Sequence, residues 1–157
     1  MRQTLVLPLA SALTLISCIH FSSGSEEVSV PKAEGEIRVL IIDTGIAELP
    51  ETKPFLSSIN DKSDLKDTHG HGTHIAGIIL YGPSGTDKVC DQVKILSCKF
   101  YGKSGEKLHT TANCFKSAKS LQADLVNFSG GGRGRDLEEE AAVRSYPGKI
   151  VVAAGNE

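Results

Sequence analysis

The strongest constraint on this chain is a recurring order: a short apolar run, a turn, then a stretch with helical spacing. Ile37 to Ile42 is an apolar run rich in β-branched residues, the pattern of a strand buried on both faces, and Asp43-Thr44-Gly45 ends it. His71 to Leu80 has the pattern of a helix stopped by Gly82-Pro83. Val93 to Phe100 predicts a second strand that ends near Gly102. Thr110 to Leu121 is amphipathic, with Cys114, Ala118, Leu121 and Leu125 at helical spacing. Asp124 to Ser129 predicts a third strand. Asp136 has the chemistry of an N-cap for a helix over Leu137 to Ser145. Pro147-Gly148 then turns the chain into Lys149 to Ala154, a fourth strand. Strands alternating with helices predict an α/β fold: a mostly parallel sheet with helices on both faces and right-handed crossovers. Such sheets collect their chemistry just beyond the carboxyl ends of the strands. Asp43, Ser129 with Gly130 and Gly131, and Asn156 all fall there.

Charge narrows the partners. Seventeen Lys and Arg against 19 Asp and Glu give a formal charge of −2, so there is no electrostatic case for nucleic acid or for an anionic membrane surface. Hydrophobic residues at 39% argue against wholesale disorder, and the absence of Trp makes the core aliphatic.

The first residues have a separate logic. Met1 and Arg2 precede an uncharged apolar run from Thr4 to Ile16, too short for a comfortable membrane span and typical of an export signal. Leu15-Ile16-Ser17-Cys18 resembles the bacterial lipobox, in which cleavage leaves a lipidated cysteine. The expected organisation is a signal peptide over 1–17, a tether over 18–35 and a globular part over 36–157. The expected destination is the cell envelope through a lipid anchor at Cys18, or secretion after an ordinary signal cut a few residues later. Cys90, Cys98 and Cys114 would remain, enough for one disulfide and one thiol, and spacing does not choose the pair.

Taken singly, the candidate residues have ordinary explanations. A strand-end Asp such as Asp43 is commonly a turn former, and Gly155-Asn156 after a strand is an ordinary turn. His69, His71 and His74 invite a metal reading, but the helical zinc pair is spaced i, i+4 with a Glu between, and none is present. The small residues Gly72, Ala76 and Gly77 fit a helix packed closely on the sheet. The glycine run from Gly130 to Gly134 could cradle a phosphate, but Asp136, Glu138, Glu139 and Glu140 open the next helix and would repel one. A glycine-lined strand end that accepts an extended peptide is the alternative.

Together and in order, these segments resemble the subtilisin-like serine proteases. Val39-Leu40-Ile41-Ile42-Asp43-Thr44-Gly45-Ile46 is similar to that family's aspartate segment, and Gly70-His71-Gly72-Thr73-His74-Ile75-Ala76-Gly77 to its histidine segment. Asn127-Phe128-Ser129-Gly130-Gly131 is similar to the strand that holds substrate, and Val152-Ala153-Ala154-Gly155-Asn156-Glu157 to the segment carrying the oxyanion-hole Asn. The resemblance spans about residues 36 to 157. It implies the three-layer architecture of a subtilisin, C-terminally truncated. It implies peptide or protein substrates, Asp43 as orienter, His71 as general base, His74 as a packing residue, Ser129, Gly130 and Gly131 as substrate-binding residues, and Asn156 in the oxyanion hole. No cofactor is required. Calcium is frequent in the family, and no segment places a site for it. The family's nucleophile lies in a Gly-Thr-Ser-x-Ala segment downstream of the Asn, and no Ser of these 157 residues matches it. The chain alone is therefore expected to be inactive, the N-terminal part of a peptidase, with an open apolar edge at its last strand. The rival expectation is a lipid-anchored module that binds peptides without cleaving them.

Overall fold

The computed structural model describes residues 31–58, 62–82, 85, 91–131 and 134–154. The signal peptide, Cys18, most of the tether, Cys90 and Asn156 lie outside the described residues.

The expected strands form as β1 (Ile37–Asp43), β3 (Val93–Lys99), β4 (Leu125–Phe128) and β5 (Lys149–Val152). The helices are α1 (His71–Tyr81), α2 (Thr111–Ser120) and α3 (Leu137–Ser145). A short strand that the sequence pattern did not predict, β2 (Leu56–Ser58), lies between 3₁₀ turns at Lys53–Phe55 and Lys62–Leu65. All pairings are parallel, in the order β2-β3-β1-β4-β5.

The first strand sits at the centre because every residue after Ile37 is buried. Its side chains alternate between two cores. Val39 and Ile41 face Ile46, Ala76, Leu80 and Ile95, the layer covered by α1. Leu40 and Ile42 face Phe115, Ala118, Val126 and Tyr146, the layer covered by α2 and α3. Each fully buried aliphatic side chain of this kind contributes about 1.5–3 kcal/mol. The result is three layers, with one helix on one face and two on the other.

Helix ends obey local chemistry. Thr110 accepts the amide of Asn113 at the start of α2. Asp136 accepts the amides of Glu138 and Glu139, the cap expected from sequence. Gly82 ends α1 with a φ of 69°, a left-handed value that suits glycine.

Arg38, near the amino end of β1, is buried although charged, only 4% exposed. Its guanidinium donates to Glu36, to the Leu121 carbonyl and to the Pro31 carbonyl. Lys32 pairs with Asp124, whose carboxylate also accepts the Arg38 amide. The last residues of the expected tether are thus held against the amino end of the sheet.

Of the three disulfide candidates, Cys98 at the end of β3 is bonded to Cys114 in α2. Both are buried, at 1% and 0% exposure. At the other margin of the sheet, Val151 and Val152 of β5 are 51% and 56% exposed, the open apolar edge that the sequence predicts.

The covalent link closes a short loop and limits the unfolded chain. Replacing both cysteines (Cys98→Ala with Cys114→Ala) should lower the unfolding free energy by about 3 kcal/mol, measured by urea denaturation.

Candidate active site

Because the sheet is parallel, the carboxyl ends of all its strands lie on one side. After β1 the chain turns, through Ile46, to the face that α1 covers, and after β3 it goes to α2 on the other face. Adjacent strands whose connections diverge in this way leave a crevice between their ends. An open cleft of about 480 Å³ lies there, lined by Asp43, Thr44, His69, His71, Ser129 and the segment 101–105.

Asp43 is the last residue of β1 and only 2% exposed. Its backbone carbonyl accepts the amides of Phe100 and Tyr101, which pins the end of β1 to the start of the cleft wall. A buried carboxylate needs partners. Oδ1 accepts the Thr44 amide at 2.7 Å, and both oxygens lie 2.9 Å from His71 Nδ1. A carboxylate only accepts, so this contact places hydrogen on Nδ1, and in the neutral ring the lone pair is then on Nε2. The His71 side chain is 45% exposed, so the imidazole is anchored on one side and open on the other. An imidazole held in that tautomer can take a proton from a hydroxyl placed at Nε2.

The helix reaches the strand end because Gly72 has no side chain. A Cβ there would stand 2.2 Å from the Gly45 carbonyl oxygen and 3.2 Å from the Asp43 Cβ. Gly45 itself has a φ of 94°, and a Cβ on it would stand 2.9 Å from the Lys66 carbonyl.

Ser129 lines the same cleft, its hydroxyl accepting from the Asn127 side-chain amide at 2.8 Å. Gly130 and Gly131 follow β4 beside Tyr101. The Tyr101 hydroxyl lies 3.2 Å from the Gly131 carbonyl, and a Cβ on Gly130 would stand 2.6 Å from that hydroxyl. The cleft is therefore bounded by the Ser129 strand end on one side and by residues 101–105 on the other.

The structure brings Asp43, His71 and Ser129 to one cleft and sets Gly130 and Gly131 beside its wall. His74, expected to pack, is exposed instead, because the buried stripe of α1 runs through Gly72, Ala76 and Leu80. Among the described residues no group of three or more His, Cys, Asp or Glu side chains converges.

Sequence reasoning missed Thr44, Asp67 and the wall at Tyr101. Asp67 takes more hydrogen bonds than its half-buried setting foretells. It accepts the amides of His69, Gly70 and Thr73 and the hydroxyls of Thr44 and Thr73. An Asp shortly before a helix is a capping signal, but Asp67 stands four residues ahead of His71 rather than next to it.

The class defined by this geometry is an α/β protein with a buried carboxylate oriented on a half-exposed imidazole at a strand-end crevice. Residues 34–157 match the Subtilase family, Peptidase S8, and the chain belongs to that family. It is 32% identical to Subtilisin DY of Bacillus licheniformis over 129 residues, covering 76% of this chain and 47% of that protein. Subtilisin Savinase of Lederbergia lenta is 27% identical over 147 residues, covering 85% of this chain and 55% of that one. The chain thus spans about half the length of these curated relatives. Among solved structures, MycP1 with its N-terminal propeptide removed is 27% identical with a TM-score of 0.59, covering 77% of this chain and 44% of that one. A cold adapted subtilisin-like serine proteinase is 28% identical with a TM-score of 0.58, covering 76% and 46%.

Burial raises the pKa of Asp67, but the Thr73 hydroxyl and the amides of Gly70, Thr73 and His69 together outweigh it, so the net shift is downward from 3.8. A depressed carboxylate contributes stability that is fully present above its unfolded pKa and lost as pH falls through its folded one. The stability difference between the parent chain and Asp67→Asn should therefore be constant above about pH 5 and shrink steadily below 3.8. Thermal unfolding across that range measures it.

Proposed function

We propose that the intact polypeptide to which this chain belongs is a serine endopeptidase, with Asp43 orienting His71 and His71 acting as general base. The 2.9 Å contacts between the buried Asp43 carboxylate and His71 Nδ1 carry the reading. In this scheme a serine hydroxyl from the part beyond these residues attacks the scissile carbonyl. Its proton passes to His71 Nε2 as the oxygen–carbon bond forms. The same proton then goes to the leaving amine as the carbon–nitrogen bond breaks, and water, deprotonated by His71, releases the acyl group. Ser129, Gly130 and Gly131 would pair with an extended peptide, and Asn156 would donate to the oxyanion.

The sequence holds no Gly-Thr-Ser-x-Ala segment, so this chain alone should not turn over substrate. A fluorophosphonate probe should leave it unlabelled, and stoichiometric labelling would refute the absence of the nucleophile. In the intact polypeptide, Asp43→Asn should lower kcat by about 10⁴-fold, close to the loss measured for the corresponding aspartate in subtilisin itself. Unchanged kcat would refute the role of Asp43.

A second reading has its own support. The cleft is built from this chain's own residues, Asp43, His71, Ser129 and 101–105. A polypeptide that keeps such a groove without a nucleophile would bind peptides and not cleave them. Peptide binding by this chain, with no cleavage from the intact reading frame, would favour that module.

Export is part of the proposal. A relative 29% identical over 129 residues, Minor extracellular protease Epr of Bacillus subtilis, is extracellular by name. We place this protein outside the cytoplasm, anchored through Cys18. Cells fed an alkyne fatty acid should label the parent protein and leave Cys18→Ala unlabelled, and equal labelling would refute the anchor.

A further inference from the structure

We propose that Asp67 is a positioning residue for the Asp43–His71 pair, acting through Thr44 and the start of α1. The inference rests on the peptidase reading above and adds a residue to it. Asp67 Oδ1 accepts the Thr44 hydroxyl at 3.0 Å, the His69 amide at 2.9 Å and the Gly70 amide at 2.8 Å. Oδ2 accepts the Thr73 amide at 3.0 Å and the Thr73 hydroxyl at 2.6 Å. Thr44 in turn accepts the Gly72 amide at 3.0 Å.

The sequence positions of these partners give the network its meaning. Thr44 follows Asp43, while Gly70 and Gly72 flank His71. One carboxylate and one hydroxyl therefore hold the backbone on the free side of Asp43 and on both sides of His71. The Thr44 hydroxyl uses its single hydrogen toward Asp67 and a lone pair toward Gly72, so it cannot turn without losing both. Thr44 is 7% exposed, which leaves water little room to replace either bond. Neither Asp67 nor Thr44 bonds the imidazole. Their effect on it runs through the backbone that carries it and through the residue beside its carboxylate partner. Placement errors of about 1 Å in such a pair cost about 100-fold in rate, so a separate device that fixes both backbones has a function.

Helix capping alone is the competing explanation, because three of the five bonds satisfy amides before or within the first turn of α1. Capping by Asp67 uses the amides of His69, Gly70 and Thr73 and has no need of Thr44, whose hydroxyl takes the Gly72 amide. Thr44→Val separates the two roles. It removes the hydroxyl, keeps the shape and leaves every capping bond of Asp67 in place.

The test uses this chain with ¹⁵N-labelled histidine, followed by NMR. The hydrogen on His71 Nδ1, bonded to Asp43, should give a downfield resonance that exchanges slowly with water. Asp67→Asn and Thr44→Val should each speed that exchange by about tenfold, the size of effect expected when a hydrogen bond to a charged group is lost. Thr44→Ser, which keeps the hydroxyl, should restore slow exchange. Circular dichroism must show an intact fold. If Asp67→Asn does not fold, Thr44→Val decides. Unchanged exchange in Thr44→Val, whatever the loss of stability, overturns the inference and leaves the Asp43–His71 pair standing. Absence of the protected resonance from the unsubstituted chain sinks the pair itself, and this inference with it.

Discussion

The close approach of Gly72 to the Gly45 carbonyl governs the functional end of this molecule. With a Cβ separation of 2.2 Å if any side chain were present, only glycine lets α1 begin against the turn that follows β1. His71 is the residue before that contact and Asp43 lies two before Gly45, so backbone proximity is what brings carboxylate and imidazole within 2.9 Å. The two motifs read from sequence are therefore two sides of one contact. Neither has chemical meaning without the other.

The sheet divides its labour along its length. At the amino end, Arg38 and Asp124 gather the chain entry, the end of α2 and the start of β4 into one polar cluster. In the middle, β1 is apolar on both sides and fills two cores. At the carboxyl end, the backbone carbonyl of Asp43 and its carboxylate are both satisfied by neighbouring segments. Most buried polar groups of β1 thus lie at its two ends, and Ser97, buried within β3, is satisfied by the Asp64 carbonyl.

What the sequence made legible follows from these forces. Runs buried on both faces, such as Ile37 to Ile42, announce themselves because both cores demand apolar residues. Gly72 and Ala76 in α1 announced close packing, whereas Gly77, read the same way, has open space where a Cβ would stand. β2 did not announce itself, since Leu56–Ser58 is short, carries two serines and is held by pairing with β3 rather than by its own pattern. Asp67 and Tyr101 were not legible because their roles depend on partners distant in sequence, at Thr44 and at Gly131. The choice of Cys98 with Cys114 likewise depends on how α2 lies against β3, which periodicity does not encode. His74 was misread because a motif gives a residue's position and not its surroundings.

The wall of the cleft at residues 101–105 lies between Cys98 and Cys114 in the chain. It is therefore an arc of a covalent ring whose closure needs an oxidant. In a reducing compartment the same arc would lose that covalent hold and rely on non-covalent contacts, among them those with Asp43, Glu106 and the glycines after β4. Where the chain folds thus bears on how firmly its groove is walled, and the shape of one side of the cleft becomes a record of the compartment in which the thiols met.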